Sequence, residues 1–123
     1  MKKAVIVVGA HLVGKSFTIN ENLKPLLGIN PEAHVFKIGE QTGYILSQSL
    51  EEADREVEET IEKYCGYDLM VFAARPYSEP GSKLRLMISL LNKKKFSVNE
   101  IAIHSKSEAP KKAREIFNIL NAV

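Results

Sequence analysis

The sequence predicts an α/β protein: a three-layer sandwich in which a four-stranded parallel sheet is covered by helices on both faces. Three observations predict it. Apolar runs of strand length alternate with helix-length amphipathic segments, strand then helix, four times over. Such alternation calls for parallel strands joined by helical crossovers. The runs Ala4 to Val8 and Leu69 to Ala74 are continuously apolar, as strands buried on both faces are. Finally, 123 residues at 45% hydrophobic and 26% charged suit one core and a single domain over residues 1–123.

Each element has a local reason. Ala4 to Val8 is rich in β-branched residues and reads as the first strand. After a loop, Lys15 to about Leu27 reads as a helix with Phe17, Leu23, Leu26 and Leu27 as its apolar set. Pro25 bends or ends its regular part, and Gly28-Ile29-Asn30-Pro31 stops it. Ala33 to Ile38 reads as a short second strand, and Gly39-Glu40-Gln41-Thr42-Gly43 as a polar loop. A long helix is expected from Tyr44 to Tyr64. Leu46, Leu50, Ala53, Val57, Ile61 and Tyr64 recur there at steps of three and four, with a solvated acidic face between them. Gly66-Tyr67-Asp68 breaks the chain before the third strand, Leu69 to Ala74. The loop from Arg75 to Ser82 holds two prolines and a glycine. Ser82 is the expected N-cap of a helix from Lys83 to about Lys94, with Leu84, Met87, Ile88 and Leu91 inward. Glu100 to His104 is the fourth strand. Ser107 is expected to cap a last helix with Ala113, Ile116, Phe117 and Leu120 on one face.

Composition excludes several function classes. A net charge of +2 gives no footprint for nucleic acid or an anionic membrane. The run Lys93-Lys94-Lys95 reads as a solvated helix end, where cations are welcome. Cys65 is the only cysteine, so neither an intrachain disulfide nor a Cys/His metal framework can form. His11, His34 and His104 do not pair at metal-ligand spacing. The apolar stretch before Gly9 is too short for a signal-peptide core or a membrane span. The expectation is a cytoplasmic protein with no membrane and no nucleic-acid partner.

In open parallel sheets ligands bind at the carboxyl ends of the strands. Four loops therefore decide function: residues 9–15, 39–43, 75–82 and 105–107. The first carries chemistry. Gly9, Gly14, Lys15 and Ser16 complete G-x-x-x-x-G-K-[ST], between a buried strand and a helix. Glycines let the backbone turn tightly so that successive N–H groups face an anion. The following helix adds its positive N-terminal end. Lys15 is suited to β- and γ-phosphates, and the Ser16 hydroxyl to Mg²⁺.

In this context residues 9–16 resemble the Walker A motif of the P-loop NTPase family. The resemblance implies ATP and Mg²⁺ as ligands, with Gly9, Ala10, His11, Leu12, Val13, Gly14, Lys15, Ser16 and Phe17 around the nucleotide and Ser16 on the metal. One departure stands out: Leu12 occupies a position where many such loops carry an additional glycine. His11 beside it either touches a phosphate or lies idle at the surface.

A second acidic motif normally ends an apolar strand in this family, yet the third strand ends in Ala73-Ala74-Arg75. Asp68 lies at its other end, about 17–20 Å away by strand rise. Glu40 and Glu79 are the available replacements. Glu40 is preferred because Gly39 and Gly43 free its loop. Arg75 emerges beside the expected phosphate loop, where a guanidinium either pairs with a phosphate or with a helix carboxylate. Lys83 and Arg85 are in the same position to add charge. Asn92-Lys93-Lys94-Lys95 lacks the aspartate of a guanine-recognition motif, which argues against a GTPase.

The overall plan looks like a shortened member of the adenylate kinase and shikimate kinase group. That implies ATP-dependent phosphotransfer in which Lys15, Glu40 and Arg75 carry the reaction to a small-molecule phosphate acceptor. Two other readings fit the same residues. One is a non-catalytic nucleotide-binding module, such as a sensor or a subunit of a homo-oligomer or larger assembly. The other is a flavodoxin-like sheet holding a different phosphorylated anion. Strand order separates them. In P-loop kinases the strand after the second helix lies beside the first strand, whereas in the flavodoxin plan the second strand does.

Overall fold

The computed structural model describes residues 2–51 and 56–122. The strands are β1 (Lys2–Val8), β2 (Val35–Ile38), β3 (Gln41–Ile45), β4 (Leu69–Ala74) and β5 (Phe96–Ala102). The α-helices are α1 (Lys15–Phe17), α2 (Lys24–Leu26), α3 (Val57–Tyr64), α4 (Leu84–Lys93) and α5 (Ala109–Asn121). A π-wound segment, Thr18–Leu23, joins α1 to α2, so residues 15–26 are helical without a break.

The five strands form one sheet in the order β2-β3-β4-β1-β5. β1 pairs in parallel with β4 and with β5, and β3 pairs in parallel with β4. β2 and β3 are antiparallel. The sheet is therefore five-stranded and mixed, not four-stranded and parallel. The cause is local: Gly39, at φ 60, and Glu40 turn the chain between the paired residues Ile38 and Gln41. A tight two-residue turn returns the chain antiparallel to itself. Gly43 is needed in that return, because a Cβ there would lie 2.2 Å from the Phe36 ring.

The expected helix over 44–64 is accordingly two different things. Tyr44 and Ile45 close β3, and α3 begins only at Val57. Leu46 and Leu50 are buried with Val57, Ile61 and Tyr64 in one core, so their burial satisfies the apolar spacing without a continuous helix. Ala53 lies outside the described residues. The last strand also begins earlier than expected, at Phe96, because Lys95 takes a left-handed φ of 71 and turns the chain straight out of α4.

Side chains of the central strands alternate between two cores, as the period of two requires. Ala4, Ile6, Val8, Met70 and Phe72 pack with Leu84, Met87 and Leu91 of α4 and with the α3 set. Val5, Val7, Val71 and Ala73 pack with Ile19 and Leu23 of the π-wound segment and with Ala113, Ile116 and Leu120 of α5 in a single core. Polar ties close the ends. The buried Lys24 donates from Nζ to Pro31 O at 2.7 Å, and Lys3 Nζ donates to Ile119 O at 3.1 Å, a cation at the carboxyl end of α5.

Lys83, not Ser82, is the N-cap of α4; Ser82 stands one residue before it, where its Oγ accepts from Leu84 N–H at 3.3 Å and donates to Arg75 O at 2.8 Å. Ser107 does not cap the last helix. A 3₁₀ turn, Lys106–Glu108, precedes α5, and the Ser107 hydroxyl pairs with that of Ser105 at 2.7 Å. Among the described residues no helix is long and apolar enough to cross a membrane.

Candidate functional site

The loop after β1 starts where three parallel strands end together. Gly9 N–H donates to Ala74 O at 3.1 Å, and Ile103 N–H donates to Val8 O at 2.8 Å. Crowding there explains Gly9: a Cβ would lie 2.5 Å from Val13 Cγ1 and 2.9 Å from Ile103 O. Gly14 is required twice over. Its φ is 113, and a Cβ would lie 2.9 Å from Lys106 Cγ. Leu12 also sits in the left-handed region, at φ 64, with 84% of its surface exposed. The loop thus adopts the turn that a glycine at position 12 would ease, and holds a leucine in it.

The helix start is locked beneath the loop. Thr18 N–H and its buried hydroxyl both donate to Gly14 O, at 2.9 and 2.7 Å. Lys15 is only 5% exposed, and its Nζ reaches back across the loop to Gly9 O at 2.6 Å and Ala10 O at 3.0 Å. The exposed Ser16 hydroxyl donates to Ser47 O at 3.3 Å, and Asn20 Nδ2 donates to Ser47 Oγ at 3.2 Å. The segment after β3 therefore meets the first helix at the same edge of the sheet.

A cleft of about 280 Å³ is lined by Leu12, Gly14, Lys15, Ser16, Phe17 and Lys106. A second cleft, of about 330 Å³, touches Gly9, Ala10, Val13, Pro76, Ser78 and His104 among others. Its lining is mostly apolar.

Arg75 follows β4 at this edge, as expected. Its guanidinium Nε lies 3.9 Å from Glu79 Oε2, an ion pair with a carboxylate of its own loop rather than with the helix carboxylate expected as its alternative role. Its backbone N–H donates to both carboxylate oxygens of Glu51 at 3.3 Å, and Lys83 N–H donates to Glu51 Oε2 at 2.7 Å. Glu51 is thus an acid at the carboxyl end of β4. The sequence hid it inside an acidic run that reads as one solvated helix face. The Arg85 guanidinium lies over the Tyr77 ring, 5.1 Å from its centroid, and Tyr77 Oη donates to Glu100 Oε2 at 3.3 Å.

Glu40 is a correction. It occupies the turn that enters β3, and β3 runs parallel to β4 with Gly43 opposite Leu69. Thr42 N–H donates to Asp68 Oδ2 at 3.2 Å, and Asp68 N–H donates to Thr42 O at 2.9 Å. Glu40 therefore lies at the amino edge of β3 and β4, beyond the start of β4 and more than about 20 Å by strand rise from the loop of Gly9 to Ser16. The antiparallel return of the chain put it there. Asp68 does lie at the far end of β4, as expected, where its carboxylate ties β3 to β4 through Thr42.

One cation at the cleft had only a weak signal: Lys106, in a loop marked by topology alone. No group of three His, Cys, Asp or Glu residues able to hold a metal occurs among the described residues. The cleft combines a glycine-turned backbone, two lysines and a hydroxyl, groups able to hold an anion. Comparison with family models, with curated proteins and with solved structures gives no match, so function is argued from this chain's own residues.

Proposed function

We propose that the chain binds ATP, with Mg²⁺, on the loop from Gly9 to Ser16. The observation that carries this is the position of Lys15. Its ammonium closes the loop through Gly9 O and Ala10 O, at the carboxyl edge of the central strand. A phosphate seated on the loop would replace those carbonyls as the partner of the ammonium, and charge-assisted bonds are the stronger ones. The Ser16 hydroxyl, exposed and donating to Ser47 O, suits the Mg²⁺ that accompanies the β- and γ-phosphates. Neither residue needs to move through the core. The adjacency of β4 and β1 supports the P-loop plan over the flavodoxin plan.

Binding without efficient turnover is the reading favoured for the chemistry. β4 ends in Ala73-Ala74, and Glu40 lies at the wrong edge. A second reading, kinase-like transfer to a small-molecule acceptor, has Glu51 in its favour: this carboxylate lies on the Arg75 and Lys83 amides at the edge where an acid is needed.

Calorimetric titration of ATP, with and without Mg²⁺, into the native chain and Lys15→Ala tests the proposal. Mg²⁺-dependent binding that Lys15→Ala weakens at least about tenfold is expected, since a hydrogen bond to a charged group contributes about 1.5–3 kcal/mol. No heat and no thermal shift in the native chain would sink it. Turnover abolished by Glu51→Gln, with binding retained, would favour the kinase-like reading.

A further inference from the structure

We propose that Lys106 is a second phosphate-binding residue of this cleft, and that it selects a polyphosphate chain over a single phosphate. This rests on the reading of residues 9–16 as a phosphate cradle and names the class of anion it takes.

Four observations point the same way. The turn after β5 packs directly on the cradle: a Cβ at Gly14 would lie 2.9 Å from Lys106 Cγ and 3.4 Å from its Cα. The Lys106 side chain therefore starts at the lip of the loop. Its ammonium lies 5.5 Å from the centroid of the Phe17 ring, and both residues line the cleft shared with Lys15 and Ser16. Among the described residues its partner is that ring, and none of their carboxylates forms an ion pair with it. The turn itself is anchored, with Glu108 N–H donating to Ser105 O at 3.1 Å and His104 N–H donating to the Glu108 carboxylate at 2.6 Å. Anchoring lowers the cost of presenting the lysine to a ligand.

The two ammonium groups serve different ends of the cradle. Lys15 is held at Gly9 and Ala10, where the loop begins. Lys106 stands over Gly14 and Phe17, where the helix begins. A chain of phosphates laid along the loop meets both charges, whereas a single phosphate meets one. The ring contact is easily exchanged, because a phosphate oxygen is a better partner for an ammonium than an exposed aromatic face.

The test is titration of ATP, AMP and inorganic tripolyphosphate into the native chain, Lys106→Met and Lys106→Arg, at low and high salt. Methionine keeps a stem over Gly14 and Phe17, and thermal unfolding checks that both variants fold. Lys106→Met is expected to weaken ATP and tripolyphosphate about tenfold or more, the loss of one charge-assisted contact. It should also flatten their salt dependence, because one fewer charge is screened, and leave AMP within about twofold. Lys106→Arg should restore most of the affinity. Native affinity for ATP in Lys106→Met would overturn the role of Lys106 while leaving the nucleotide reading intact. If tripolyphosphate binds and ATP does not, and Lys106→Met still weakens it, the nucleotide reading falls and Lys106 stands. If neither ligand binds the native chain, both fall.

Discussion

Gly14 joins two demands on one residue: a backbone turn at φ 113 and contact with Lys106. Gly14→Ala should cost about 1–2 kcal/mol for the left-handed backbone alone and push the 106 turn off the loop. Urea unfolding would show the first effect and ATP titration the second, and an alanine variant of native stability would show that the loop relaxes freely. Glu108 makes that turn sensitive to acid. The His104 backbone N–H, ahead of that of Ser105, holds its carboxyl below the ordinary value of 4.5. A depressed folded-state pKa contributes stability that is present above the unfolded value and lost as pH falls through the folded one. Exchange protection of the His104 amide should therefore fall as the pH drops below about 4.5, and Glu108→Gln should abolish that pH dependence. The glycines and lysine of the loop were legible in sequence because their spacing is a physical requirement of the turn. Lys106 and Glu51 were not, since no spacing links either to the loop.

At the scale of elements, turns decided more than propensity. Lys95 ends α4 in the left-handed region, its N–H donating to Asn92 O at 3.0 Å. A glycine at this position after a helix avoids the Cβ penalty. Lys95→Gly should stabilise the protein by about 1 kcal/mol, read as a higher urea midpoint at unchanged slope; an unchanged or lowered midpoint would show that the lysine side chain compensates. The β2–β3 hairpin follows the same logic in reverse. Its turn was visible as Gly39-Glu40, but strand 41–45 was read as loop and helix, because Gly43 and Thr42 break the apolar alternation. The Phe36 ring lying against Gly43 supplies the missing packing, and only the paired strand brings that ring there.

For the whole molecule, β1 is the axis: it pairs with strands on both sides and supplies residues to both cores. Ile6, fully buried, faces the core of α3 and α4. Ile6→Ala should cost about 2–5 kcal/mol, transfer plus cavity. Because one sheet serves both cores, the loss should appear as a single shifted transition by circular dichroism and by tyrosine fluorescence alike; two separated transitions would mean that the layers unfold independently. The sequence by itself determined the α/β class, the buried strands β1 and β4, the helices packed on them, and the loop from Gly9 to Ser16. Those are set by local periodicity and by backbone demands that particular residues alone meet. Tertiary structure decided the rest: the fifth strand, the antiparallel hairpin, the exile of Glu40 to the far edge, the arrival of Glu51 at the near one, and the packing of the Lys106 side chain on Gly14 and Phe17. The physical reason is strand direction. One two-residue turn reverses β2 against β3, so the loop it makes falls at the amino edge, while the loops after the parallel strands β1, β4 and β5 stay at the carboxyl edge.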